Sequence, residues 1–118
     1  MASKQPVTFE TVRRILLALP GVEEGVSYGT AAFRVRKKFL ARLREDGETV
    51  AVRVDYDERD FRMQGDPEAF FVTEHHQRHP AVLVRLSAVQ PDDLRDLLVH
   101  ASRRIAAKGL LAEYEDAD

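Results

Sequence analysis

Three observations predict an α+β fold, an antiparallel sheet with the N- and C-terminal helices packed on one face. Apolar residues near both ends of the chain recur at helical spacing. The middle of the chain alternates apolar and charged residues with a period of two. Glycine, proline and aspartate signals separate these segments.

The elements follow in chain order. Residues 1–7 carry no periodic pattern and read as a loose arm. Thr8 is placed to cap a helix, with Glu10 in its electropositive first turn. Val12, Ile15, Leu16 and Leu19 then keep helical spacing, which predicts helix 8–19. Pro20-Gly21 ends it, because proline cannot continue a helix and glycine accepts positive φ. Residues 22–30 read as a short strand or turn.

From Ala31 the period changes. Phe33 and Val35 alternate with Arg34 and Arg36, and Arg36-Lys37-Lys38 forms a polar tip. Phe39, Ala41 and Leu43 alternate with Leu40, Arg42 and Arg44. A Glu45-Asp46-Gly47-Glu48 loop follows, with glycine where left-handed backbone is wanted. Val50, Val52 and Val54 alternate with Ala51, Arg53 and Asp55. The pattern predicts a three-stranded meander with one apolar and one polar face.

Asp57 to Gln64 predicts a short helix stopped by Gly65. Asp66-Pro67 is a second helix-start signal. Phe70-Phe71-Val72 is an apolar run, and residues 74–80 are a polar connection. Ala81 to Leu86 reads as a strand, with Val82, Val84 and Leu86 on one side and Leu83 and Arg85 on the other. A last helix opens at Gln90-Pro91-Asp92-Asp93 and carries the stripe Leu94, Leu97, Leu98, Ala101 and Ile105. Arg103, Arg104 and Lys108 suit its C-terminal dipole, Gly109 its cap, and residues 112–118 a frayed acidic tail. The expected core joins Phe33, Phe39, Val52, Val84, Leu94 and Leu98.

A chain of 118 residues predicts a single domain spanning 1–118 with one core. It has no cysteine, which removes disulfides, thiolate zinc sites, iron–sulfur clusters and cysteine nucleophiles. Met1 to Pro6 contains no apolar signal core, and no apolar run approaches the ~20 residues of a membrane span. A cytoplasmic protein with no membrane partner is therefore expected.

The net charge of −2 conceals an asymmetry. Arg34, Arg36, Lys37, Lys38, Arg42, Arg44 and Arg53 lie within residues 31–54 against only Glu45, Asp46 and Glu48. Strand alternation puts Arg34, Arg36, Arg42, Arg44 and Arg53 on the face opposite the core. Arg85 joins them if its strand enters the same sheet in the matching sense. Guanidinium forks suit phosphate oxygens, so these seven cations are the candidate anion-binding residues. Cross-strand pairing with Glu45, Glu48 and Asp55 is the structural alternative. The exposed parity holds no base-stacking aromatic.

Catalytic readings are weak. Glu74, His75, His76 and His79 cluster, yet their order matches no fixed helical ligand spacing, and they read as a polar loop without a metal. Ser27, Ser87 and Ser102 lack a glycine elbow, and the glycines form no phosphate loop. A non-enzymatic protein without catalytic residues or cofactor is expected.

Several pieces together resemble the MmcQ/YjbR family over about residues 8–108. They are Leu19-Pro20-Gly21-Val22-Glu23-Glu24, Tyr28-Gly29, the stretch Phe33 to Phe39, and Asp66-Pro67-Glu68-Ala69-Phe70. Pro80 to Leu86 and Pro91-Asp92-Asp93-Leu94 complete the order. The resemblance implies a CyaY-like fold and a DNA partner held by the Arg34-to-Lys38 hairpin and its neighbours. A small-molecule or anion ligand on the same face is the alternative. The chain departs from the family in having no tryptophan and in carrying His100 and Ser102 within the last helix, where an aromatic is often found. Its acids at 55–60 do not reproduce the acidic helix of frataxins, which is N-terminal.

Overall fold

The computed structural model describes residues 7–74 and 77–116. The order is α1 (Phe9–Leu17), β1 (Val22–Ser27), β2 (Thr30–Val35), β3 (Lys38–Leu43), β4 (Thr49–Arg53), α2 (Tyr56–Gly65), β5 (Phe70–Phe71), β6 (Ala81–Arg85) and α3 (Pro91–Asp116). The strands form one six-stranded sheet in the order β1-β2-β3-β4-β6-β5, and every pairing is antiparallel. The α+β prediction and the meander at its centre agree with this sheet.

Helix α1 starts where Thr8 turns the chain: its N–H donates to Thr11 Oγ1 at 3.2 Å. The helix turns its apolar stripe, Val12 and Leu16, into the core. Gly21 adopts φ of +76° just beyond its end, a conformation strained for any other residue. Residues 22–27 form a complete edge strand rather than a turn, joined to β2 through Tyr28-Gly29, both at positive φ. Glu24 on this strand takes the Arg13 guanidinium at 2.9 Å and ties β1 to α1.

One core unites the helices with one sheet face. Val12 and Leu16 of α1 meet Leu94, Leu97, Leu98, Ala101 and Ile105 of α3 over Phe33, Val35, Val50, Val52, Val82 and Val84. Met63 of α2 packs against the same cluster. All five residues of the α3 stripe are buried as the spacing required.

Four local expectations are corrected. The pairing of β2 with β3 shifts between Phe33 and Arg34: Phe33 lies opposite Ala41, but Arg34 lies opposite Phe39. Leu40 is the extra residue of this bulge. It enters the core at 0% exposure, while Phe39 turns to the other face. Asp66-Pro67 starts no helix; it is one turn into edge strand β5, because Asp66 O already accepts from Ala69 and Phe70 N–H. Asp55 ends the strand reading early and caps α2, its carboxylate accepting from Glu58 N–H at 3.2 Å. Helix α3 runs through Gly109 to Asp116, so Gly109 does not stop it. His75, His76 and residues 1–6 of the expected arm lie outside the described residues. Among the described residues, no helix is long and apolar enough to cross a membrane.

Candidate nucleic-acid interface

The sheet face away from the helices is built row by row. Ala32, Arg42, Ala51, Leu83 and Phe71 pair in sequence across β2, β3, β4, β6 and β5, so their side chains share this face. Arg34 and Phe39 form the next pair toward one end, followed by Arg53 opposite Ala81. Arg85 stands opposite Thr49 toward the other end, beside Arg44. Ala32, Ala51 and Leu83 are buried although they lie outside the helix-side core. The long side chains of their own face cover them, as arginine stems do on apolar surface.

The seven predicted cations do not act as one set. Arg34, Arg42, Arg44 and Arg53 share the open face. Arg36 and Lys37 occupy the two-residue β2–β3 turn, the polar tip that the sequence predicts, with φ of +51° and +71°, so Arg36 leaves the open face. Both central residues at positive φ give the strand-matching hairpin geometry, here without glycine. Lys38 opposes Val35 and turns toward α3, where it meets Arg53, Arg104 and Lys108 around a second concavity. The bulge explains the departure of Lys38: alternation read through Phe39 assigns the wrong parity to Phe39 and Lys38.

Arg42 and Arg44 are engaged near Glu45. The Arg42 guanidinium donates to Thr30 Oγ1 at 2.9 Å and Glu45 Oε1 at 3.1 Å, and lies 5.5 Å from the Tyr28 ring centroid. Arg44 approaches Glu45 at 3.8 Å. Glu45's own backbone N–H and the Arg42 guanidinium hold its carboxyl below the usual carboxylate range. Glu45 thus pairs these two locally, at the end of β3 and into the following loop, rather than across strands. Arg34 and Arg53 make no ion pair with any described residue. Arg85 lies over the Phe71 ring at 4.5 Å and donates to the Glu68 carbonyl.

Aromatic residues do lie among these arginines. Phe39, Phe71 and Tyr28 join the face, and Tyr28 is 88% exposed at the β1–β2 turn. The expectation of none fails because the bulge reverses Phe39, and because the pairing of Phe71 with Leu83 is a tertiary fact. The signal within reach was Phe39-Leu40-Ala41, three apolar residues in a row, which strict alternation cannot bury on one side. Phe39, Ala51, Ala81 and Pro80 floor an open concavity of about 430 Å³, walled by Arg42, Arg44, Arg53 and His79. Among the described residues, no group of three or more histidine or acidic side chains is placed to hold a metal.

The YjbR family model matches residues 17–104. The chain belongs to the YjbR family. This YjbR protein is 30% identical to an uncharacterized protein of Mycobacterium bovis, over 91% of this chain and 95% of that one. Uncharacterized proteins of two Mycobacterium tuberculosis strains match equally. Its fold is similar to the crystal structure of Deinococcus radiodurans protein DR2400, which carries the family-model domain DUF419. The TM-score is 0.73 at 21% identity, with 91% of this chain and 85% of that one covered. The YjbR resemblance read from the sequence and the antiparallel α+β fold are thus both met.

Proposed function

We propose that this YjbR protein is a non-enzymatic nucleic-acid-binding module of the cytoplasm that holds single-stranded DNA on its open sheet face. One observation carries the reading: the β2–β3 bulge turns Phe39 onto the arginine side of the sheet. Non-sequence-specific strand binding combines backbone-tracking cations with aromatic rings on which bases stack. Here Arg34, Arg53 and Arg85 take phosphates, and Phe39 and Tyr28 offer ring faces. Arg42 and Arg44 fix the floor through Glu45. The acidic remainder of a chain of net charge −2 disfavours a polyanion over much of the surface, so the cations of this face stand out.

Fluorescence anisotropy with labelled single- and double-stranded oligonucleotides tests it. Single strands bind in preference, and their affinity falls by ~0.7 of a logarithmic unit per phosphate contact for each tenfold rise in salt. Arg34→Ala with Arg53→Ala flattens that slope, while Phe39→Ala costs ~1–3 kcal/mol of affinity at constant slope. Absence of binding at about 50 mM salt ends the reading. The size of the concavity supports a second one, a small organic anion, because about 430 Å³ falls within the ~300–1,000 Å³ of ligand sites. A free nucleotide that saturates the site while oligonucleotides do not bind selects it.

A further inference from the structure

We propose that the rim between β3, β4 and α3 is a separate phosphoryl-binding site, formed by Lys38, Arg53, Arg104 and Lys108. These four cations line a concavity of about 80 Å³ whose apolar walls are Val54, Pro80 and Ile105. That scale fits one tetrahedral oxyanion and is far below the ~300–1,000 Å³ of sites for larger ligands.

The helix dipole does not account for the α3 cations. Helix α3 continues to Asp116, so Arg104 and Lys108 stand in its interior, and its last turn has no basic residue. At i,i+4 spacing they repel one another. Lys38, Arg53 and Lys108 make no ion pair with any described residue. Asp55 is the one acid in the lining, and its charge is already committed. It accepts from Glu58 N–H at 3.2 Å and faces His100 Nε2 at 3.1 Å and Arg104 Nε at 3.6 Å. Three unpaired cations and one shared arginine thus converge on a single-phosphate space, the arrangement that a bound oxyanion relieves. The strained Arg36-Lys37 turn immediately before Lys38 adds charge to the same end of the sheet.

The phosphoryl group has two sources, free phosphate or the backbone of a strand rounding the sheet end from the open face. Arg53 lines both concavities and connects them. Backbone-amide NMR of the full chain, titrated first with inorganic phosphate and then with a short single-stranded oligonucleotide, tests the site. Phosphate produces saturable shifts at Lys38, Arg53, Arg104 and Lys108, and chloride at matched ionic strength does not. Arg104→Gln with Lys108→Gln weakens phosphate by about tenfold or more, and both positions are exposed, so circular dichroism stays native. Arg34→Ala with Arg85→Ala leaves phosphate binding intact even if oligonucleotide binding is lost, which separates this site from the open face. Rim shifts with the oligonucleotide alone assign the group to a strand. If neither ligand moves these amides beyond what chloride does at matched ionic strength, the site does not exist.

Discussion

At the scale of single residues, two aspartates hold the ends of elements together. Asp46 Oδ1 accepts from Glu48 and Thr49 N–H, both at 2.9 Å, and Oδ2 accepts from Thr49 Oγ1 at 2.8 Å. Those bonds, the Glu48 N–H foremost, hold its carboxyl below the ordinary value. At Asp55, burial pushes the carboxyl up. The His100 and Glu58 bonds and the Arg104 charge outweigh it, so this carboxyl too lies below its ordinary value. A carboxyl lowered on folding stabilises the protein above its unfolded value, here 3.8. That stability disappears as pH falls through the lower folded value. Urea midpoints should accordingly drop as the solution is taken from neutral pH into the acid range below 3.8. Asp46→Asn with Asp55→Asn keeps side-chain acceptors at both turns, and asparagine caps as well as aspartate. The double variant should be less stable than wild type at neutral pH and converge on it in acid. Parallel pH profiles for the two proteins would contradict the assignment.

At the scale of elements, the β2–β3 hairpin carries the most information. Strict alternation over Phe39 to Leu43 cannot be satisfied, because Leu40 and Ala41 are both fully buried and adjacent. The bulge resolves the conflict by adding one residue to β3 and twisting the strand. Leu40→Ala should therefore cost ~2–5 kcal/mol, as a large-to-small change in the core does. Phe39→Ala should cost clearly less, since Phe39 is half-buried on the open face and outside the core cluster. Chemical denaturation of the two variants checks the order; the reverse order would place the bulge elsewhere. The same hairpin shows what was legible. Strand existence, turn position and the charges were all readable from alternation. The parity of the residues between the bulge and the turn was not, because a bulge is chosen by what the neighbouring strand and helices demand.

At the scale of the whole molecule, a single core joins the sheet to helices drawn from both ends of the chain. Val12 and Leu16 of α1 and Leu94, Leu97 and Leu98 of α3 are each fully buried in it. Both terminal helices bury their core stripes against this one sheet, so they and the sheet should unfold together. Leu98→Ala should lower stability by ~2–5 kcal/mol and leave one cooperative transition. Far-ultraviolet dichroism, which follows backbone, and near-ultraviolet dichroism of the tyrosines should then give coincident curves. Separate transitions would mean that the C-terminal helix is an independent unit.

The sequence by itself determined the α+β class, the two terminal helices with their buried stripes, the meander and the concentration of arginines in it. These are set by periodicity, capping and turn chemistry, which act over a few residues. Only the tertiary structure decided which arginines stand together. Arg34, Arg53 and Arg85 come onto one face from three strands. Lys38 leaves it to meet Arg104 and Lys108, and Arg42 is committed to Glu45 and Thr30. It also decided that Phe70-Phe71 closes the sheet as an edge strand beside β6. Charge and hydropathy are properties of residues, but a binding face is a property of register. Register is settled by long-range pairing and by what the core must bury.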